Sequence, residues 1–139
     1  MKFSNLALTA LLLAAFPLAT QASAHEGVAR GGVSFAEPLD GAAVPGEFKV
    51  VMQAEGMAVQ PAGEIVDGTG HHHLIVDGDC IAEGAAVPKD DTHMHFGKGQ
   101  IETTLKLAPG EHTLTLQFAN GKHQSYGKDW CHTIHVTVE

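Results

Sequence analysis

Beyond Gly31 the chain alternates apolar and polar residues with a period of two, and that alternation predicts strands. The clearest is Phe48 to Glu55, where Phe48, Val50, Met52 and Ala54 share one face and Lys49, Gln53 and Glu55 the other. Gln100 to Leu107 repeats the pattern with Ile101, Thr103, Leu105 and Leu107 inward, and stops at Pro109-Gly110. His112 to Phe118 follows at once, pointing Leu114, Leu116 and Phe118 inward, so a hairpin through Pro109-Gly110-Glu111 is expected between these two strands. His132 to Val138 buries Ile134, Val136 and Val138, and Val33 to Phe35 opens the ordered pattern. His72 to Val76 is a further strand, entered through Gly68-Thr69-Gly70 and left through Asp77-Gly78-Asp79. No stretch after the leader offers a capped amphipathic helix. Six or seven strands with turn residues every ~8–12 positions predict an all-β domain, a single immunoglobulin-like antiparallel β-sandwich over residues 32–139.

The first 24 residues break this pattern. Lys2 precedes an apolar run from about Leu6 to Leu18, then Ala22-Ser23-Ala24, the form of a secretory signal peptide with a small-residue cleavage site. Residues 25–31 are Gly- and Ala-rich and read as a flexible arm. The composition, 44% hydrophobic and 17% charged, is that of a globular chain. With Lys2 in the leader, seven of the 8 basic residues face all 16 acidic ones, a net charge near −9 that argues against nucleic acid or an anionic membrane as partner. No apolar stretch approaches the ~20 residues that span a bilayer. A periplasmic or secreted protein is the expectation.

All ten histidines lie after the leader. His71-His72-His73 enters a strand, so His71 and His73 share a face about 7 Å apart while His72 turns to the other. His93-Met94-His95 has the same spacing. Two such pairs can direct three or four imidazole nitrogens at one point, the donor set that Zn²⁺ or Cu²⁺ accepts. His71, His73, His93 and His95 are therefore the candidate ligands. Asp77, on their face, is a candidate acceptor orienting one of their rings. The competing reading is that each His is a hydrogen-bonded strand-end residue binding nothing.

The other histidines carry weaker signals. His112 keeps parity with Leu114 and reads as a structural His, His123 falls in the polar turn Asn120-Gly121-Lys122, and His132 and His135 flank Ile134 on opposite faces. Cleavage after Ala24 would make His25 an amino-terminal Cu²⁺ chelator. Met52, Met57 and Met94 are soft enough for Cu(I), but Met52 belongs to a core stripe and the others are scattered. Cys80 and Cys131 form an even pair that export would join in a disulfide. A cupredoxin-like use of Cys131 with His135 lacks the Met that such a copper loop requires.

A set of ordered motifs covers Val33 to Val138. They are Phe35-x-x-Pro38-x-Asp40-Gly41, Pro61-Ala62-Gly63, Gly70-His71-His72-His73-Leu74, Val87-Pro88, His93-x-His95-Phe96-Gly97-Lys98-Gly99-Gln100, Pro109-Gly110-x-His112-x-Leu114-x-Leu116-Gln117-Phe118, and His123 with Ser125-Tyr126-Gly127. In these the chain resembles the exported bacterial family catalogued as domain of unknown function 4399. The resemblance implies a compact periplasmic β-sandwich without an established activity. It also marks His71, His72, His73, His93, His95, His112 and His123 as motif positions and so as the best site candidates, which makes His72, His112 and His123 candidate additional ligands. Asn120 stands where the family leads one to expect Asp, and neither Cys belongs to the pattern.

Metal binding by imidazoles from two strand segments, for copper or zinc handling or buffering, is the leading expectation. A metal-free module that packs on another envelope protein is the alternative. A zinc hydrolase would need a base near the cluster, for which Asp77 and Asp90 are the candidates. Neither G-x-S-x-G nor H-E-x-x-H is present. His93-Met94-His95-Phe96-Gly97 also resembles the copper-ligand strand of copper/zinc superoxide dismutases, though the rest of that ligand pattern is missing.

Overall fold

The computed structural model describes residues 32–139. The leader (1–24), the arm (25–31) and His25 lie outside the described residues. The described chain is all-β: β1 Gly32–Glu37, β2 Ala42–Val44, β3 Glu47–Glu55, β4 Ala58–Val59, β5 Thr69–Val76, β6 His93–His95, β7 Glu102–Lys106, β8 Gly110–Ala119 and β9 Cys131–Val138, with a single 3₁₀ turn at Lys128–Trp130. No helix among these residues is long and apolar enough to cross a membrane.

Two sheets pack together. One has the order β1-β3-β7, the other β2-β9-β8-β5-β4, with β6 paired to β5 on the same side as β4. Their facing sides follow the alternation in the sequence: Val50, Leu74, Leu114, Leu116 and Phe118 are fully buried, and Phe48, Met52, Ile134 and Val136 nearly so. Burial of each such side chain contributes roughly 1.5–3 kcal/mol.

Three expectations are corrected. Pro109-Gly110 does not close a hairpin, because β7 pairs with β3 in one sheet while β8 pairs with β5 and β9 in the other. The segment carries the chain between sheets; Gly110, at φ 133°, supplies a backbone angle that L side chains rarely adopt. The larger sheet is mixed rather than antiparallel, since the short strands β2 and β4 run parallel to β9 and β5. Ile101 is half exposed and precedes β7 instead of facing the core, its carbonyl accepting from the Met52 amide.

β5 is buried on both faces. Its even positions His72, Leu74 and Val76 face the core. Its odd positions His71, His73 and Ile75 are shielded by the connection from β5 to β6, and Cys80 in that connection is joined to Cys131 at the start of β9. Gln117 holds the same connection: its Oε1 accepts from the Ile81 amide at 2.9 Å while its Nε2 donates to the carbonyls of Gly127 and Trp130. Backbone bonds from Gly84 to Ser125 and from Val87 to His123 fasten the rest of it to the segment after β8. The outer face of β5 is thus a second, polar interior.

His112 is structural in this frame. Its Nδ1 meets Asp77 Oδ2 at 2.8 Å and its Nε2 meets the Ala108 carbonyl at 2.9 Å, so both ring nitrogens face acceptors and the imidazolium is favoured. The Asp77 carboxylate, with the Ala108 carbonyl, holds the His112 pKa above its ordinary value. A raised folded-state pKa adds stability below the unfolded value of ~6.5 and loses it as pH rises through the folded value. His112→Ala should therefore cost about 1 kcal/mol at pH 6 and distinctly less at pH 8.5, as read by urea denaturation at both pH values.

Candidate metal centre

Three elements bring four imidazoles together on the outer face of β5. His71 and His73 project from β5, two residues apart and on one side of the strand. The antiparallel register of β5 and β6 sets His95 opposite His73. His123 arrives from the turn after β8. Ligand atoms of His71, His73, His95 and His123 all lie within 4.8 Å of one another.

The turn that carries His123 is built by Asn120. Its Oδ1 accepts from the amides of Lys122 and Gln124, and its carbonyl accepts from the His123 amide. Its Nδ2 donates to Gln124 Oε1 at 3.0 Å, a bond that Asp at this position could not make as a carboxylate. His123 itself sits at φ 64°, a left-handed conformation uncommon for a side-chain-bearing residue. The chain accepts that backbone cost where it aims the ring at His71.

The nitrogens meet in a way that hydrogen bonding alone does not satisfy. His71 Nε2 lies 3.0 Å from His73 Nε2 and 3.1 Å from His123 Nδ1. An imidazole nitrogen has either one in-plane lone pair or one N–H, so His71 Nε2 can make one good hydrogen bond there, not two. Four nitrogens around Zn²⁺ at about 2.0–2.1 Å would be spaced about 3.3–3.4 Å apart, close to the two separations at His71 Nε2. His95 Nε2 is buried and has no hydrogen-bonding partner among the described residues.

Three of the four rings are pushed toward the neutral form. Burial, reinforced by repulsion from neighbouring imidazoles, holds the His71 pKa down to about 4 and that of His73 to about 3. Burial, with His123 and Lys89 nearby, lowers His95 as well. At neutral pH His71, His73 and His95 are therefore favoured uncharged, the form in which an imidazole nitrogen can ligate a cation. The Nδ1 atoms of His71 and His73 have no partner among the described residues, so no carboxylate fixes these rings; packing does.

Gly97 is part of the construction. By continuation of the β5–β6 register it lies beside the cluster, and a Cβ there would fall 2.2 Å from His95 Cε1 and 2.5 Å from its Nε2. The turn Gly97-Lys98-Gly99-Gln100 thus leaves space for a ligand ring. Gly97→Ala should push His95 out of the cluster and weaken Cu²⁺ or Zn²⁺ binding by about tenfold or more. Competition with a chelating dye measures this; an unchanged affinity would reject the role.

The remaining candidates go elsewhere. His93 is opposite Ile75, not His73, and its Nδ1 sits 2.7 Å from Asp90 Oδ1; the register that delivers His95 leaves His93 two residues beyond the site. Asp77 orients His112 rather than a cluster ring, because β5 ends at Val76 and Asp77 turns away at φ 55°. His72 faces the core, edge-on to Phe118, with neither ring nitrogen partnered among the described residues and its pKa held down to about 4 by burial. Met52, Met57 and Met94 belong to or pack on the core. His123 is the cluster member that alternation could not find, since a turn has no period; only its place among the ordered motifs pointed to it.

Residues 50–139 match the family described as Domain of unknown function (DUF4399). No match was found among curated proteins. Among solved structures the chain is similar to the endo-beta-1,4-mannanase from Thermotoga petrophila, at 16% identity and a TM-score of 0.49, over 82% of this chain and 21% of that one. The chain therefore spans about a fifth of that protein's length.

Proposed function

The chain belongs to the family described as Domain of unknown function (DUF4399), and we propose its function from its own residues: an exported metal-binding protein that holds one copper or zinc ion on His71, His73, His95 and His123. The observation that carries this reading is the meeting of His71 Nε2 with two other ring nitrogens at 3.0 and 3.1 Å, a geometry suited to a shared cation. An all-imidazole set suits Zn²⁺ and Cu²⁺ better than Cu(I), which prefers sulfur. The two cysteines are committed to each other and offer no thiolate. Holding the ion, for handling or buffering, is favoured over hydrolysis, because Asp77 and Asp90 are engaged by His112 and His93 away from the cluster.

Export to the periplasm rests on the leader pattern of residues 1–24, and a disulfide suits that oxidising compartment. We read the two packed sheets as an immunoglobulin-like sandwich, a scaffold whose outer sheet face is free to carry a site. Untagged protein from its native compartment should contain close to one equivalent of copper or zinc by elemental analysis. Apo-protein should take up one equivalent of either ion in a titration. Protein that stays metal-free in both measurements refutes the reading.

A further inference from the structure

A cavity of about 260 Å³ opens in front of the cluster. His73, His95 and His123 line it, whereas His71 does not, so the cavity meets the ligand set from one side. Its other walls differ in chemistry: Ala86, Val87 and Pro88 are apolar, and Lys89 and Lys122 are the cationic residues of the lining. No carboxylate among the described residues lines it; Glu64 meets Lys122 at 3.6 Å from an exposed position.

Resting on the metal reading above, we propose that this cavity binds a small carboxylate: its oxygen enters the cation's coordination sphere, Lys89 and Lys122 meet its charge, and its short apolar tail lies against Ala86, Val87 and Pro88. Four neutral imidazoles leave a bound dication with its full charge, and two lysines add to it, so the occupant of the cavity is an anion. Zn²⁺ and Cu²⁺ both accept a further oxygen donor beyond four nitrogens, Zn²⁺ by expanding to five-coordinate and Cu²⁺ in a tetragonal geometry. Inorganic phosphate would satisfy the charge but leave the apolar wall wet. A chain of a few carbons fits a cavity of about 260 Å³.

The test uses the exported chain loaded with one equivalent of Cu²⁺ and followed by its visible absorption and electron paramagnetic resonance. Butyrate should shift both spectra saturably, at lower concentration than acetate or inorganic phosphate. Lys89 and Lys122 are exposed, so Lys89→Ala with Lys122→Ala should fold and still bind one copper. That double variant should need at least tenfold more butyrate. Copper bound normally but spectra unmoved by all three anions would overturn the carboxylate site and leave the metal site standing. Phosphate acting as tightly as butyrate, or no effect of the lysine substitutions, would overturn it equally. Failure to bind copper at all would remove both proposals.

Discussion

Replacing His71 and His73 together by alanine should abolish tight uptake of one equivalent of Cu²⁺ or Zn²⁺, while His93→Ala should leave it intact. The contrast follows from register. His71 and His73 supply the two buried nitrogens at 3.0 Å, whereas His93 is turned to Asp90. Binding to the folded chain alone stabilises it by about 4 kcal/mol when free metal is a thousandfold above the dissociation constant. For a chain of this size that corresponds to a rise in melting temperature of roughly 15 °C. Wild type and His93→Ala should both show the rise on adding Zn²⁺, and the double variant should not. His95→Ala, altering a less buried ring, guards against a trivial failure to fold and should also lose most of the rise. An undiminished rise in the double variant, or its loss in His93→Ala, would sink the assigned ligand set.

The same contrast marks how far the sequence was readable. Alternation put His71 and His73 on one face and His72 on the other, because side-chain direction in a strand depends only on parity. Parity says nothing of how far one strand slides along its neighbour. The register pairing His73 with His95 therefore could not be foreseen, and His93, with the same parity, looked equally good. The core rows of β3, β5, β8 and β9 were legible for the same reason that the ligands on β5 were. The fate of the chain at Pro109-Gly110 was not, since a turn signal gives a change of direction and not the sheet in which the next strand pairs. His123 depended on Asn120 and a left-handed backbone angle, both invisible to periodicity. Burial of the outer face of β5 was hidden too, because it comes from a long connection whose own composition is that of a surface loop.

Removing the disulfide that anchors that connection, by Cys80→Ser with Cys131→Ser, should lower stability by about 4 kcal/mol. The pair closes a loop with a sequence separation of 51, and on the chain-entropy argument its main effect is to restrict the unfolded chain. A bound metal would act on the other side of the equilibrium, by binding the folded chain. The two losses should accordingly add: the serine variant should lose about the same free energy in excess Zn²⁺ as in a chelator, to within ~0.5 kcal/mol. Additivity is expected because the ligands are held independently of Cys80, His95 by the β5–β6 ladder and His123 by the Asn120 turn, while Gln117 still holds Ile81. Urea denaturation of both proteins under both conditions measures all four corners of the cycle. Serine substitution avoids adding a thiol reductant, which would itself bind the metal. A loss that grows markedly in Zn²⁺ would mean that the covering connection, and not the ladder, positions the ligands; a loss near zero in both would refute the loop-entropy account.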